Sequence, residues 1–93
     1  MGIYLVERHI KGIGLEQLAA AQVAAVKAGE YLRGHGHIVH YVRSTFVPAE
    51  GTCYCLFEAD SGLSVRELNL EAHLPYRRIV EALDLTPPVR LRV

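Results

Sequence analysis

Polar and apolar residues alternate from Ile3 to Ile10, with Tyr4, Val6 and Arg8 on one side of the backbone and Leu5, Glu7 and His9 on the other. That two-residue period predicts a first strand. Gly12 and Gly14 punctuate a turn. The period then lengthens over Leu15 to Arg33, where Leu15, Leu18, Ala19, Val23 and Val26 fall at helical spacing and Glu16 sits near the positive end of the helix dipole. A long amphipathic helix ending near Gly34 is expected. From His37 to Val47 the β-branched and aromatic content returns, Pro48 stops the ladder, Ala49-Glu50-Gly51 turns, and Thr52 to Ala59 runs back as the second arm of a hairpin. Asp60 or Ser61 is placed to cap a second helix, and Ser64-Val65-Arg66-Glu67 also fits a capping box. Val65, Leu68 and Ala72 give that helix its buried stripe. Pro75 cannot continue it, and the mostly apolar segment from Arg77 to Leu85 reads as a fourth strand.

The order βαββαβ is that of the ferredoxin-like α+β sandwich, an antiparallel sheet ordered 4-1-3-2 with both helices on one face. Two helices cover one face only, so the other should be polar. Whichever face is bare carries large apolar groups, either Tyr4, Val6, Tyr54 and Leu56 or Leu5, Val42, Cys55 and Phe57. Monomers avoid patches of that kind, and two-fold packing of sheet on sheet removes them. A homodimer through the open face is therefore expected. After Pro87-Pro88 the tail Val89-Arg90-Leu91-Arg92-Val93 alternates again, as an edge strand would, while a frayed end is the competing reading.

The chain has 93 residues, 51% of them hydrophobic and 22% charged, so residues 1–93 fit one globular domain with 86–93 as its C-terminal tail. Ten Lys and Arg balance ten Asp and Glu, which leaves no basic footprint for nucleic acid or an anionic bilayer. No apolar run reaches the roughly 18 residues of a membrane span, and the N-terminus lacks the pattern of a secretory signal. A cytoplasmic location is expected.

Two thiols, Cys53 and Cys55, flank one residue on the third strand. By strand rise they lie about 6 to 7 Å apart, too far for an unstrained bridge. Three of the five histidines crowd into His35-Gly36-His37-Ile38-Val39-His40, and imidazole suits nickel, zinc and copper. In the 4-1-3-2 order Cys53 and Cys55 stand between Glu7 and His9 on one neighbour and His40 and Arg43 on the other, with Glu58 further along as an oxygen donor. The competing structural reading is that the cysteines are small buried hydrophobes, His35 belongs to a solvated turn, and Arg8 and Arg43 pair with Glu7, Glu58 or Glu81.

Several segments together resemble a family of small bacterial ferredoxin-like proteins of unknown function whose described members include a cytoplasmic nickel-binding dimer. They are Tyr4-Leu5-Val6-Glu7-Arg8, Val42-Arg43-Ser44, Cys55-Leu56-Phe57-Glu58-Ala59, Val65-Arg66-Glu67, Leu74-Pro75 and Arg78-Ile79-Val80-Glu81. The resemblance implies a cytoplasmic homodimer with a nickel or similar divalent site, and it implies no particular reaction. Glu7, Arg43, Cys55 and Glu58 carry over as polar positions, whereas His35, His37, His40 and Cys53 fall outside the family pattern.

The expectation drawn from residues and resemblance together is a non-enzymatic protein that sequesters or buffers nickel-like ions, with ligands from His37, His40, Cys55, Glu7 and His9. The alternative is a cofactor-free monooxygenase or isomerase that holds an apolar substrate between sheet and helices, where Tyr41, Tyr54, His40 and Arg43 orient or protonate it.

Overall fold

The computed structural model describes residues 1–87, so the expected tail strand Val89 to Val93 lies outside the described residues. Six elements follow in the order β1 (Gly2–His9), α1 (Leu15–Arg33), β2 (Val39–Val47), β3 (Thr52–Ala59), α2 (Gly62–Glu71) and β4 (Arg78–Ala82). The sheet is antiparallel in the order β2-β3-β1-β4, which is 4-1-3-2 read from the opposite edge.

Alternation decides the two faces. Val6 on β1, Phe57 and Ala59 on β3 and Val39 on β2 are completely buried, and they pack with Ala25, Ala28 and Leu32 of α1 and Val65 and Leu68 of α2. Cys53 and Cys55 belong to the same buried set. The Tyr41 and Phe57 rings meet edge to face with centroids 5.6 Å apart. Truncating a buried aromatic such as Phe57 to Ala costs about 3–5 kcal/mol, so this layer is where the chain's stability concentrates.

The buried face of α1 differs from the expected stripe. Leu15, Val23 and Val26 are exposed, while Ala25, Ala28, Gly29 and Leu32 face the sheet. Small residues prevail because the helix lies close to its neighbours: a Cβ on Gly29 would sit 3.2 Å from the Val39 carbonyl oxygen. Apolar size marks burial only where there is room for it, and periodicity alone does not report that room.

Element ends also moved for physical reasons. The fourth strand, expected from Arg77 to Leu85, stops at Ala82, which pairs with Ile3. Only Gly2 remains on β1 beyond that point, so Leu83 and Leu85 find no ladder to join and are exposed. The second strand begins at Val39 because Gly36 takes a φ of 88° and His37 N–H bonds back to the Leu32 carbonyl at 3.1 Å. Ser61 is the cap of α2, accepting from the Ser64 amide at 3.3 Å. Ser64 instead lies inside the helix, with its hydroxyl donating to Asp60 Oδ1. At α1 the Gln17 side chain reaches back to accept from the Gly14 amide at 2.8 Å. Among the described residues no helix is long and apolar enough to cross a membrane.

Candidate functional site

The sheet's two faces carry different chemistry. On the open face the ladder aligns His40 with Glu58 and Ile3, Arg43 with Leu56, Leu5 and Val80, and Thr45 with Tyr54, Glu7 and Arg78. An apolar row therefore runs across the middle, flanked by polar rows.

Glu7 is 8% exposed although it belongs to the uncovered face. Arg78 Nε donates to its Oε1 at 2.7 Å, His9 Nε2 lies 2.9 Å from its Oε2, and Arg77 stands 3.7 Å away. The bond from Arg78 and then that from His9 hold its carboxyl below the usual range. His9 Nε2 is also 3.2 Å from Arg77 Nη1, so the imidazole sits between a carboxylate and a guanidinium. Arg43 pairs with Asp84 rather than with Glu7, Glu58 or Glu81.

Of the five candidate ligands the fold brings together Glu7 and His9. His40 shares their face, exposed, in the cross-strand position opposite Glu58. His37 is elsewhere, with Nδ1 3.0 Å from Ser64 Oγ at the start of α2. Cys55 is on the far side of the sheet, facing the helices. Among the described residues no three His, Cys, Asp or Glu side chains form a metal-holding group within one chain. The dispersal follows from strand parity: His40 and Glu58 share a face, while Cys55, three residues before Glu58, falls on the other. His35, in the turn after α1, stacks on Tyr31 with centroids 4.1 Å apart and is exposed.

The helix side holds a cavity of about 220 Å³ between α1 and the sheet. A bulge between Tyr41 and Arg43 swings Val42 outward, so Tyr41 and Ser44 both face inward. Their hydroxyls are 2.6 Å apart, Gln22 donates to Tyr41 at 2.8 Å, and Ser44 donates to Cys55 Sγ at 3.0 Å. Cys53 Sγ lies 3.7 Å from Cys55 Sγ, and both thiols are free. The side chains lean together, closer than strand rise alone gives. Burial first, and then the neighbouring Cys55, pushes the Cys53 thiol up to about 11. Arg8 also lines this cavity. Of the residues nominated to handle a substrate here, Tyr41 does line the space, whereas Tyr54, His40 and Arg43 stand on the open face. Sequence reasoning missed Arg8 and Gln22 as cavity residues. The alternation of β1 had already placed Arg8 beside Val6, which was the available signal.

Comparison with known proteins agrees with this architecture. The crystal structure of SCO4226 from Streptomyces coelicolor A3(2) superposes with a TM-score of 0.77 at 25% identity, over 90% of this chain and 99% of that one. A comparison with curated proteins finds no match. The family described as nickel responsive protein, SCO4226-like, matches residues 4–82. With most of its length matched in this way and its fold shared with a solved structure, the chain belongs to the SCO4226-like family of nickel-responsive proteins.

Proposed function

We propose that this protein is a cytoplasmic homodimer that binds nickel, or a similar divalent ion, at the open sheet face and so sequesters or buffers it. The observation that carries the reading is the pairing of His40 with Glu58 across β2 and β3, next to the apolar row of Leu5, Leu56 and Val80. Neither His40 nor Glu58 makes a side-chain hydrogen bond to another described residue, so both keep donor atoms for a ligand. Imidazole and carboxylate are suitable nickel donors. One of each falls short of a coordination sphere, and sheet-on-sheet dimerisation supplies the rest from the partner's open face.

Glu7 and His9 share this face and serve as a second, weaker pair. Their fit is poorer, since Arg78 and His9 already engage the Glu7 oxygens and two guanidinium groups oppose an added cation. His37 and Cys55 have no part in this site. The family's nickel responsiveness supports the choice of metal.

The test is calorimetric titration of chelator-treated protein with nickel chloride. Nickel should bind at micromolar concentration, with His40→Ala weakening it by more than the 10–100-fold typical of an outer-shell change. An absence of binding at micromolar nickel, or an affinity indifferent to His40→Ala, overturns the proposal.

A further inference from the structure

Arg8 is 5% exposed and points from β1 toward the helices, yet among the described residues it forms no ion pair. Its neighbour Glu7 faces the other way and is held by Arg78 and His9. Arg8 Nη1 donates to the Pro75 carbonyl at 3.2 Å, the single side-chain hydrogen bond it makes among the described residues. A guanidinium carries five N–H donors in a planar fork, and a buried cation with no counter-charge is among the costliest features a small fold can keep.

The cavity beside it explains where a counter-charge would sit. Its polar groups other than Arg8 are already satisfied in sequence, Gln22 to Tyr41, Tyr41 with Ser44, and Ser44 to Cys55. Leu18, Ala25, Phe46 and Leu74 supply apolar walls. The space therefore offers one unmet cationic fork in a chamber whose other polar groups bond to one another and whose remaining walls are apolar. At about 220 Å³ it exceeds the cavity of roughly 150 Å³ that suffices for benzene, which leaves room for one ring or a short chain plus a head group.

The geometry points to a ligand site in this cavity for a small apolar monocarboxylate, held by a two-pronged contact from the Arg8 guanidinium. The single positive charge selects a monoanion, since a phosphate dianion would remain half-neutralised among apolar walls. Flat carboxylate geometry matches the fork of Arg8, and the ring or chain fills the space under α1. This site lies on the opposite side of the sheet from His40 and Glu58 and is independent of nickel.

Benzoate, phenylacetate and hexanoate are the probes, with benzyl alcohol as the neutral counterpart of benzoate, all titrated into the full chain. At saturation the carboxylates should slow iodoacetamide alkylation of Cys53 and Cys55 at least tenfold, because both thiols line the same cavity. Arg8→Gln should weaken carboxylate binding at least tenfold and leave benzyl alcohol unchanged. Ala21→Leu, which narrows the cavity while keeping Arg8, should weaken both, and it serves as the deciding variant if Arg8→Gln does not fold. Benzoate binding no tighter than benzyl alcohol, carboxylate binding that leaves alkylation unchanged, or binding unaffected by Arg8→Gln or by Ala21→Leu overturns the inference.

Discussion

Glu7 and Arg78 meet across β1 and β4, with Arg78 Nε 2.7 Å from Glu7 Oε1, and this pair anchors the edge strand to the centre of the sheet. The carboxyl is held below its ordinary value of 4.5, so the interaction favours the ionised form in the folded chain. A depressed carboxylate contributes stability that is present above the unfolded value and is lost as pH falls through the folded one. Thermal melts of the native chain should therefore drop on acidification below pH 4.5, and Glu7→Gln should flatten that drop. The difference between the two proteins should be largest near neutrality and shrink toward pH 3. A constant gap across this range would remove the linkage.

Cys53 illustrates the reverse case. With its thiol pushed up to about 11 from 9.0, the thiolate fraction at pH 8 is lower by about 100-fold than for an ordinary cysteine. Alkylation of Cys53 in a Cys55→Ser variant should be slower than that of an unfolded peptide, because burial both raises the thiol and shields it from the reagent. Removing Cys55 also removes the second cause of the shift, so the factor measured in the variant isolates burial. The same raised value means that the folded form loses stability as pH climbs from 9.0 toward 11, where the unfolded chain ionises first. Mass spectrometry of iodoacetamide adducts over time measures the rate; labelling as fast as that of free cysteine contradicts it.

The elements and their order were legible because strand parity and turn residues are local: Glu7 opposite Val6, the Gly51 turn and the helix ahead of Gly34 all follow from neighbours in sequence. What escaped notice depended on distance between elements. Gly29 approaches Val39 closely, so the helix buries alanines and turns Val23 and Val26 outward. The β4 boundary was set by where β1 ends, which no residue near Leu83 announces. For the candidate site, parity alone placed Glu7 and His9 together. The separation of His40 from Cys55 required the register and the bulge after Tyr41, neither of which composition encodes.

Gly51 tests how closely the β2–β3 turn meets the segment after β1. It has a φ of 64°, and a Cβ there would lie 2.7 Å from both Cα and Cβ of Lys11. Its carbonyl also accepts from the Ile10 amide at 2.7 Å, so the turn cannot simply back away. Gly51→Ala should cost about 3 kcal/mol or more, combining left-handed strain with displacement of backbone. Gly12, with a φ of 83° and nothing within 4 Å of the added carbon, carries the strain alone, so Gly12→Ala should cost about 1–2 kcal/mol. Urea denaturation of the two variants measures the difference, and equal costs would mean that the contact with Lys11 has no weight.

Leu56 sits in the middle of the open face, between Arg43 on β2 and Leu5 on β1, and its side chain does not contribute to the helix-side core. Leu56→Lys places a charge in the apolar row without touching the residues that hold the subunit together. A lysine has no counter-ion arranged for it at a sheet-on-sheet seam and occurs twice in a two-fold dimer, so the dimer dissociation constant should rise by more than roughly a hundredfold. The stability of the separated subunit should change by no more than about 1 kcal/mol, as for other substitutions away from the core. Sedimentation velocity of the native chain should give a dimer and of Leu56→Lys a monomer. If nickel is held jointly by two open faces, the monomeric variant should also lose high-affinity nickel while keeping His40 and Glu58 intact. Retained nickel affinity in a proven monomer would place the whole coordination sphere on one chain, and a native chain that sediments as a monomer would dispose of the shared face altogether.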